Sequence, residues 1–278
     1  MKFFFYDLSD TAGGNARYLP TPFGTAVRCR RYCRISSGGT ERTQLLKVGR
    51  SDLLPRFEEG CFGHLLRWTD SRSCGKALHA LISRKINLGD ALKYEVWFHI
   101  NGNNIRFSYP EFALVSGFRF GTSNFDPNAY HDCSNIGVFM RFCGGKSIRV
   151  KDLLKKFESD VANATEDDYL KVANVLALYM FALGYDTHRQ VESFVWVLVD
   201  NLREWDRYPW GAYIYPILLN YMSLLPNTRL ECGSKYHFFG PVWDLQIWAC
   251  EAIPDLAGQI AQCVYPHALP RCLRWFLV

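Results

Sequence analysis

The sequence predicts a mainly helical α+β domain with one β-hairpin around residues 94–108. Three observations carry that expectation. Apolar residues recur at helical spacing through most of the second half. Residues 96–107 alternate apolar and polar on both sides of Asn101-Gly102, the pattern of two strands joined by a tight turn. The composition, 49% hydrophobic and 15% aromatic in 278 residues, supplies a large core, while 21% charged residues is ordinary for a water-facing surface.

Residues 1–50 differ from the rest. Gly13-Gly14, Pro20, Pro22 and Ser36-Ser37-Gly38-Gly39 are turn formers, and Arg28, Arg30, Arg31 and Arg34 make a basic cluster, so this segment reads as a basic, poorly ordered N-terminal arm. Residues 51–278 read as a single helical domain. Its first elements are two helices, Phe57–Trp68 and Gly75–Ile86, the second with Leu78, Leu81 and Ile82 on one side. Val96, Phe98 and Ile100 then alternate with Trp97 and His99, and Ile105 and Phe107 with Arg106 and Ser108. The turn between them falls within residues 101–104, its length left open. Ser108 stands three residues before Glu111, with Pro110 in the first turn, which is capping-box spacing for a helix that stops at Gly117.

Farther on, Leu153, Leu154, Phe157 and Val161 form one amphipathic stripe. Thr165 and Asp168 make a second capping-box pattern, and the helix behind it runs through Tyr169, Val172, Leu176, Tyr179, Met180 and Leu183 to Gly184. A long helix is expected from His188 to Tyr208, with Val191, Phe194, Val195, Leu198, Leu202 and Trp205 on one face and Pro209 and Gly211 ending it. Pro241 opens a last helix, Val242 to Ile253, which Pro254 terminates.

A net charge of +5 and a pI near 8.6 permit contact with nucleic acid or acidic proteins without demanding it. The opening run Met1–Tyr6 is too short for a signal-peptide core, and no stretch approaches the roughly 20 apolar residues that span a bilayer. The expected location is therefore intracellular, with no membrane partner and with the ten cysteines as thiols. The basic arm has the composition of a localisation segment, which makes the nucleus the expected compartment.

Each motif that suggests chemistry is incomplete. His131-Asp132-Cys133 has the residue types of a cysteine protease, but adjacent side chains rarely face one site, and Ser134 follows where that pattern has glycine. Gly144-Gly145-Lys146-Ser147 resembles the end of a phosphate-binding loop, yet Met140 stands where the first glycine belongs. Cys29 and Cys33, and separately Cys263, His267 and Cys272, lack the two tight ligand pairs of a structural zinc site and read as scattered thiols. Glu166-Asp167-Asp168 sits at a helix start, where the dipole favours negative charge. His99 in the hairpin and His188 near a helix start have equally bland readings. No catalytic residue, cofactor or metal ligand is assigned. Arg28, Arg30, Arg31 and Arg34 with Tyr32 remain as a set that could neutralise phosphates and stack on a base.

Several blocks occur together in a recognisable order. They are Glu95–Gly102, Ile105–Ser108 and Glu111–Phe118, with Phe62–Leu66 before them and Leu178-Tyr179, Leu198–Asp200 and Tyr208–Gly211 after them. Leu245–Ala249, Glu251–Pro254 and Pro270–Trp275 follow. Over residues 57–275 the chain resembles the plant family called domain of unknown function 1985. That resemblance implies a part of a mobile-element-derived protein, often joined to a C-terminal protease domain acting on ubiquitin-like modifiers (SUMO). It carries no catalytic residue for the domain itself, and the chain stops at Val278 before any such protease, as a truncated reading frame would. The expected function is a non-catalytic interaction module with an unidentified protein partner. Nucleic-acid binding through the arm, and a fragment of a cysteine protease, are the alternatives.

Overall fold

The computed structural model describes residues 50–67, 75–123, 125–129, 132–160, 163–224 and 240–277. Arg28, Arg30, Arg31, Tyr32 and Arg34 lie outside the described residues, as does all of the predicted arm except Arg50. Within them the protein is mainly helical, with a small antiparallel sheet and a separate two-stranded ladder.

Helix α1 (Leu54–Glu58) opens on Pro55 and stops early. The predicted helix Phe57–Trp68 is not continuous: the chain folds back on α1, and a Cβ at Gly63 would lie 2.1 Å from the Glu58 carbonyl oxygen. Only glycine permits that approach. The backbone N–H of Cys61 donates to Asp206 at 2.9 Å, and a 3₁₀ turn, Gly63–Leu66, follows. Helix α2 (Gly75–Ile82) also ends before its predicted limit, because Lys85–Ile86 is strand β1, paired with Trp97 and Phe98. Cross-strand pairing overrides the local helical pattern there. The sheet thus has three strands where one hairpin was expected, in the order β1, β2 (Val96–Ile100), β3 (Asn103–Phe107).

The register pairs Ile100 with Asn103, so the hairpin loop is two residues long. Asn101 (φ 53°) and Gly102 (φ 80°) both take the left-handed conformation that a twisted two-residue turn requires. Helix α3 (Tyr109–Ser116) starts as its sequence predicts: one Glu111 carboxylate oxygen accepts from the Ser108 backbone N–H at 2.9 Å and from its hydroxyl at 2.5 Å. Gly117 ends it at φ 73°, packed under Pro270.

Helices α4 (Gly137–Cys143), α5 (Val150–Asp160) and α6 (Glu166–Ala177) come next. Helix α6 is the centre of the molecule; every residue from Asp168 to Ala177 is buried, with α4, α5 and α7 (Ser193–Val199) packed around it. Its last turn widens to π geometry over Leu178–Ala182, where the Leu183 N–H donates to the Leu178 carbonyl at 2.7 Å, before Gly184 closes it at φ 56°. On α5, Leu153 and Phe157 are buried and Leu154 half-buried, while Val161 lies outside the described residues.

The predicted helix His188–Tyr208 is two helices, α7 and α8 (Leu202–Arg207). Residues 188–192 instead turn and bridge to the segment before α5, with the Val191 N–H donating to the Ile148 carbonyl at 3.0 Å. Asn201 then stops one helix and starts the next, its side chain accepting from the N–H groups of Arg203 and Glu204. Gly211 does not end a helix either. It lies in α9 (Trp210–Leu224), where a Cβ would come within 2.5 Å of the Phe120 ring. Helix α10 (Val242–Ala252) begins after Pro241 as predicted. Strands β4 (Ala261–Cys263) and β5 (Trp275–Leu277) form a ladder that no local pattern announced.

Aromatic rings tie the helices together. Phe62 meets Phe118, Trp205 and Trp210 at centroid distances of 5.8, 5.9 and 5.4 Å. Phe107 of β3 packs on Trp248 of α10, and the buried Tyr215 hydroxyl donates to the Tyr94 carbonyl at 2.9 Å. Among the described residues, no helix is long and apolar enough to cross a membrane.

Candidate functional site

Two sequence motifs that each looked incomplete meet at one cleft of about 200 Å³. Asp132, Cys133 and Ser134 come from the first, Gly145 and Ser147 from the second. Phe139 of α4, Val191, and Ser193 and Trp196 of α7 complete the lining. A thiol and a carboxyl group therefore line one cleft. His131, the imidazole of the first motif, lies outside the described residues.

Local bonding fixes the walls. The Asp132 carboxylate accepts from the Ser134 backbone N–H at 2.8 Å and its hydroxyl at 3.0 Å, which holds the turn leading into α4. At the far end of α4, Gly144 (φ 60°) and Gly145 (φ 73°) reverse the chain, and the Gly144 N–H donates to the Met140 carbonyl at 2.9 Å. The glycine pair is therefore a helix C-terminus. Phosphate-binding loops present the N–H pole at a helix start; this loop presents the carbonyl pole, and Met140 packs against Gly145.

The electrostatics oppose nucleophilic chemistry. Burial pushes the Cys133 thiol up, the Asp132 charge adds to it, and a hydrogen bond with Ser193 offsets only part. Asp132 itself is held below the usual carboxylate range by the Ser134 N–H and then by its hydroxyl. A protonated thiol beside an ionised carboxylate is the reverse of an activated cysteine, which needs a positive neighbour. Cys143, at the end of α4, is pushed up by burial to about 12. The lining also includes the exposed Ser147 and the Trp196 indole. Trp196 is 1% exposed, its ring centroid lies 5.7 Å from that of Phe139, and its Nε1 is buried with no hydrogen-bond partner among the described residues. Sequence reasoning missed Val191, Ser193 and Trp196 as lining residues because it read them as one stretch of helix and its approach.

The other candidate sets are structural. Asp168 does not complete a reciprocal capping box: Thr165 accepts from the Asp168 N–H at 3.1 Å, but the Asp168 carboxylate receives the Arg141 guanidinium fork at 2.6 and 2.5 Å. Asp167 and Asp200 hold Lys171 at 2.7 and 2.9 Å, and Glu166 pairs with Arg56 at 2.9 Å. His99 Nδ1 bonds Asn104 and His188 Nδ1 bonds Asp186, both on the surface. Cys263 is exposed on β4, whereas Cys272 is fully buried with its thiol pushed up by burial. Among the described residues no group of three His, Cys, Asp or Glu could hold a metal, and Cys61, Cys133, Cys143, Cys250, Cys263 and Cys272 are free thiols. Cys29 and Cys33 lie outside the described residues.

The family model described as Domain of unknown function (DUF1985) matches residues 85–220, from β1 into α9, and this span contains the whole cleft. No curated protein and no solved structure matches the chain.

Proposed function

We propose that this chain is a non-catalytic protein-interaction module, belonging to a mobile-element-derived plant protein and acting in the nucleus. The single observation that supports the reading most is the state of Cys133: buried, protonated and next to a carboxylate, in the cleft where two motifs converge. The test compares the full chain with Cys133→Ala on conjugates of ubiquitin-like modifiers, together with capture of interacting proteins from plant nuclear extract. The module reading expects no cleavage by either protein and the same captured partner with both. Cleavage by the unaltered chain that Cys133→Ala abolishes would replace it with the protease reading.

One observation favours a second activity carried by a different segment. Residues 1–49 hold eight Lys and Arg against three Asp and Glu, and so account for the whole net charge of +5, leaving residues 50–278 neutral. A basic segment joined to a neutral remainder of the chain suits phosphate contact without sequence readout. On this reading Arg28, Arg30, Arg31 and Arg34 neutralise phosphates and Tyr32 stacks on a base. Binding to single-stranded oligonucleotides should then fall steeply with salt and vanish when the four arginines become alanine. Binding that survives the substitution would exclude the arm.

A further inference from the structure

We propose that the loop after α4 and the first turns of α5 form an anion-binding face of Lys146, Arg149, Lys151 and Lys155, and that its partner is the phosphate backbone of a nucleic-acid duplex. It goes beyond the module reading and involves no residue of the N-terminal arm. Residues 50–278 are neutral as a whole, but their charges are unevenly placed. Elsewhere many cations are engaged: Arg50, Arg106, Arg141, Lys171 and Arg271 each hold a carboxylate within 3.1 Å. Among the described residues, Lys146, Arg149, Lys151 and Lys155 hold none. Lys146, Arg149 and Lys155 are exposed and Lys151 is half-buried. With Lys156, which donates to the Phe142 carbonyl at 2.7 Å, residues 144–156 carry five cations against one acid, Asp152.

The fold keeps these charges together. Lys151 and Lys155 stand four residues apart and share one face of α5, while Val150, Leu153 and Phe157 turn into the core. Arg149 is fixed at the helix start by its bridge to Gln190. By chain reach, the four Cα atoms fall within about 20 Å of one another. In the neighbouring segment 186–192, His188 and Arg189 each face a carboxylate, Asp186 at 2.7 Å and Glu192 at 3.3 Å, so that segment adds no net cation. Glu158 beyond Lys155, and Asp132 across the cleft from Ser147, mark the ends of the face. The helix start itself is not the binding group. Its Val150 and Lys151 N–H groups donate to the Arg189 and Thr187 carbonyls at 2.9 and 2.8 Å, and that of Asp152 to Arg149 at 3.0 Å. An anion is therefore met by side chains.

The character of the face selects its partner. Exposed ion pairs with an acidic peptide contribute only about 0–1 kcal/mol each. Residues 144–156 also expose no large apolar side chain to anchor a protein, Ile148 and Leu154 being half-buried. A duplex differs, because cations that meet its phosphates release condensed counterions. At one charge per about 1.7 Å of axis, it sets about twelve charges within the ~20 Å of the face. A single strand carries about half that density, and residues 144–156 contain no aromatic ring on which its bases could stack.

The experiment uses the full chain with Arg28, Arg30, Arg31 and Arg34 replaced by alanine, so that the face is read alone. The probe is a labelled DNA duplex of about two helical turns, followed by fluorescence anisotropy. The logarithm of the affinity should fall against the logarithm of salt with a slope of about −3.6, four contacts at about −0.9 each. Lys146→Ala, Arg149→Ala, Lys151→Ala and Lys155→Ala should each reduce that slope by about one, and the four together should leave no measurable binding. Lys151→Arg should keep the slope, which separates lost charge from disturbed folding. Lys93→Ala with Arg203→Ala removes two exposed cations elsewhere that also hold no carboxylate, and should change neither slope nor affinity. No duplex binding at low salt by the arm-substituted chain, folded by its melting curve, would overturn the face while leaving the arm and module readings to their own tests. A loss no greater for the four alanines than for Lys93→Ala with Arg203→Ala would overturn it as well. So would tighter binding to a single strand, or equal displacement of the duplex by polyglutamate or by phosphatidylserine vesicles at the same total charge.

Discussion

Trp205 and Trp196 are both sealed inside the helical layers, at 0% and 1% exposure, and their surroundings differ in one respect. Around Trp205 the indole and its partner are satisfied, although His64 Nε2 in the same aromatic cluster is buried without a partner among the described residues. The Trp205 Nε1 donates to Asn174 Oδ1, the Asn174 amide donates to the Leu170 carbonyl at 2.9 Å, and neighbouring Lys171 and Asp168 have their ion pairs. Around Trp196, whose side chain lines the cleft, the indole Nε1 is buried and has no hydrogen-bond partner among the described residues. A satisfied buried network specifies one packing arrangement. A buried donor left unsatisfied is a cost in the folded protein. The contrast teaches that only Asp168 of the visible acidic run 166–168 belongs to the buried region, Glu166 and Asp167 being exposed, while the cleft is framed by residues of little individual note.

Predictions that break or sharpen the comparison fall in order of size. The largest concerns His64, which stands edge-on to Phe118 in the aromatic cluster that also holds Trp205. Burial lowers its pKa from 6.5 to about 4, and hydrogen bonds involving Ser116 and Cys61 offset only part of that. Between those values the unfolded chain binds the extra proton, so stability is full above pH 6.5 and is lost as pH falls toward 4. The loss from this group amounts to about 3 kcal/mol. Denaturant melts across that range should show the slope, and His64→Phe should flatten it.

Trp205→Phe should cost about 2 kcal/mol, because it leaves the Asn174 carbonyl oxygen buried without its donor. Chemical denaturation with an unchanged m-value would measure it. Next is Asp244 of α10, fully buried, with neither carboxylate oxygen bonded among the described residues. Burial first, and the Glu251 charge second, raise its pKa well above the ordinary value. The folded state therefore holds a proton that the unfolded chain releases above about pH 4, and stability falls as pH rises from there. Asp244→Asn should raise the melting temperature at pH 7 and reduce that dependence, by about 1 kcal/mol or more. The smallest effect belongs to Trp196→Phe. No partner among the described residues loses a bond, so the change should stay within about 1 kcal/mol. A cost equal to that of Trp205→Phe would erase the distinction between the two regions.

What was legible in the sequence follows the range of the interactions involved. The hairpin and the Ser108 cap depend on residues a few positions apart, and both stand where the pattern put them. The break at Asn201 was hidden because the apolar stripe continues across it, although Asn is itself a helix-start residue. Strand β1 exists only through its pairing with β2, and β4 only through β5, twelve residues away at the turn-proximal pair Cys263–Trp275. Helix α9 contains Pro216 and Gly211, which argue against a helix locally, yet Gly211 is required by Phe120 lying on its backbone. The cleft was legible in its letters and not in its meaning. Asp132-Cys133-Ser134 and the pair Gly145 and Ser147 share it only because α4 runs between them, and Trp196 lines it from a helix about fifty residues past α4. The open indole could not be found from sequence, since it is defined by what its neighbours fail to accept.

The central claim is that Cys133 in this cleft is not an activated nucleophile. Its most direct test is the rate of alkylation of Cys133 by iodoacetamide as a function of pH, read by mass spectrometry on the folded chain. The account predicts a rate below that of a free thiol, rising only above the ordinary thiol range. Rapid labelling at neutral pH, with a midpoint below that range, would contradict it.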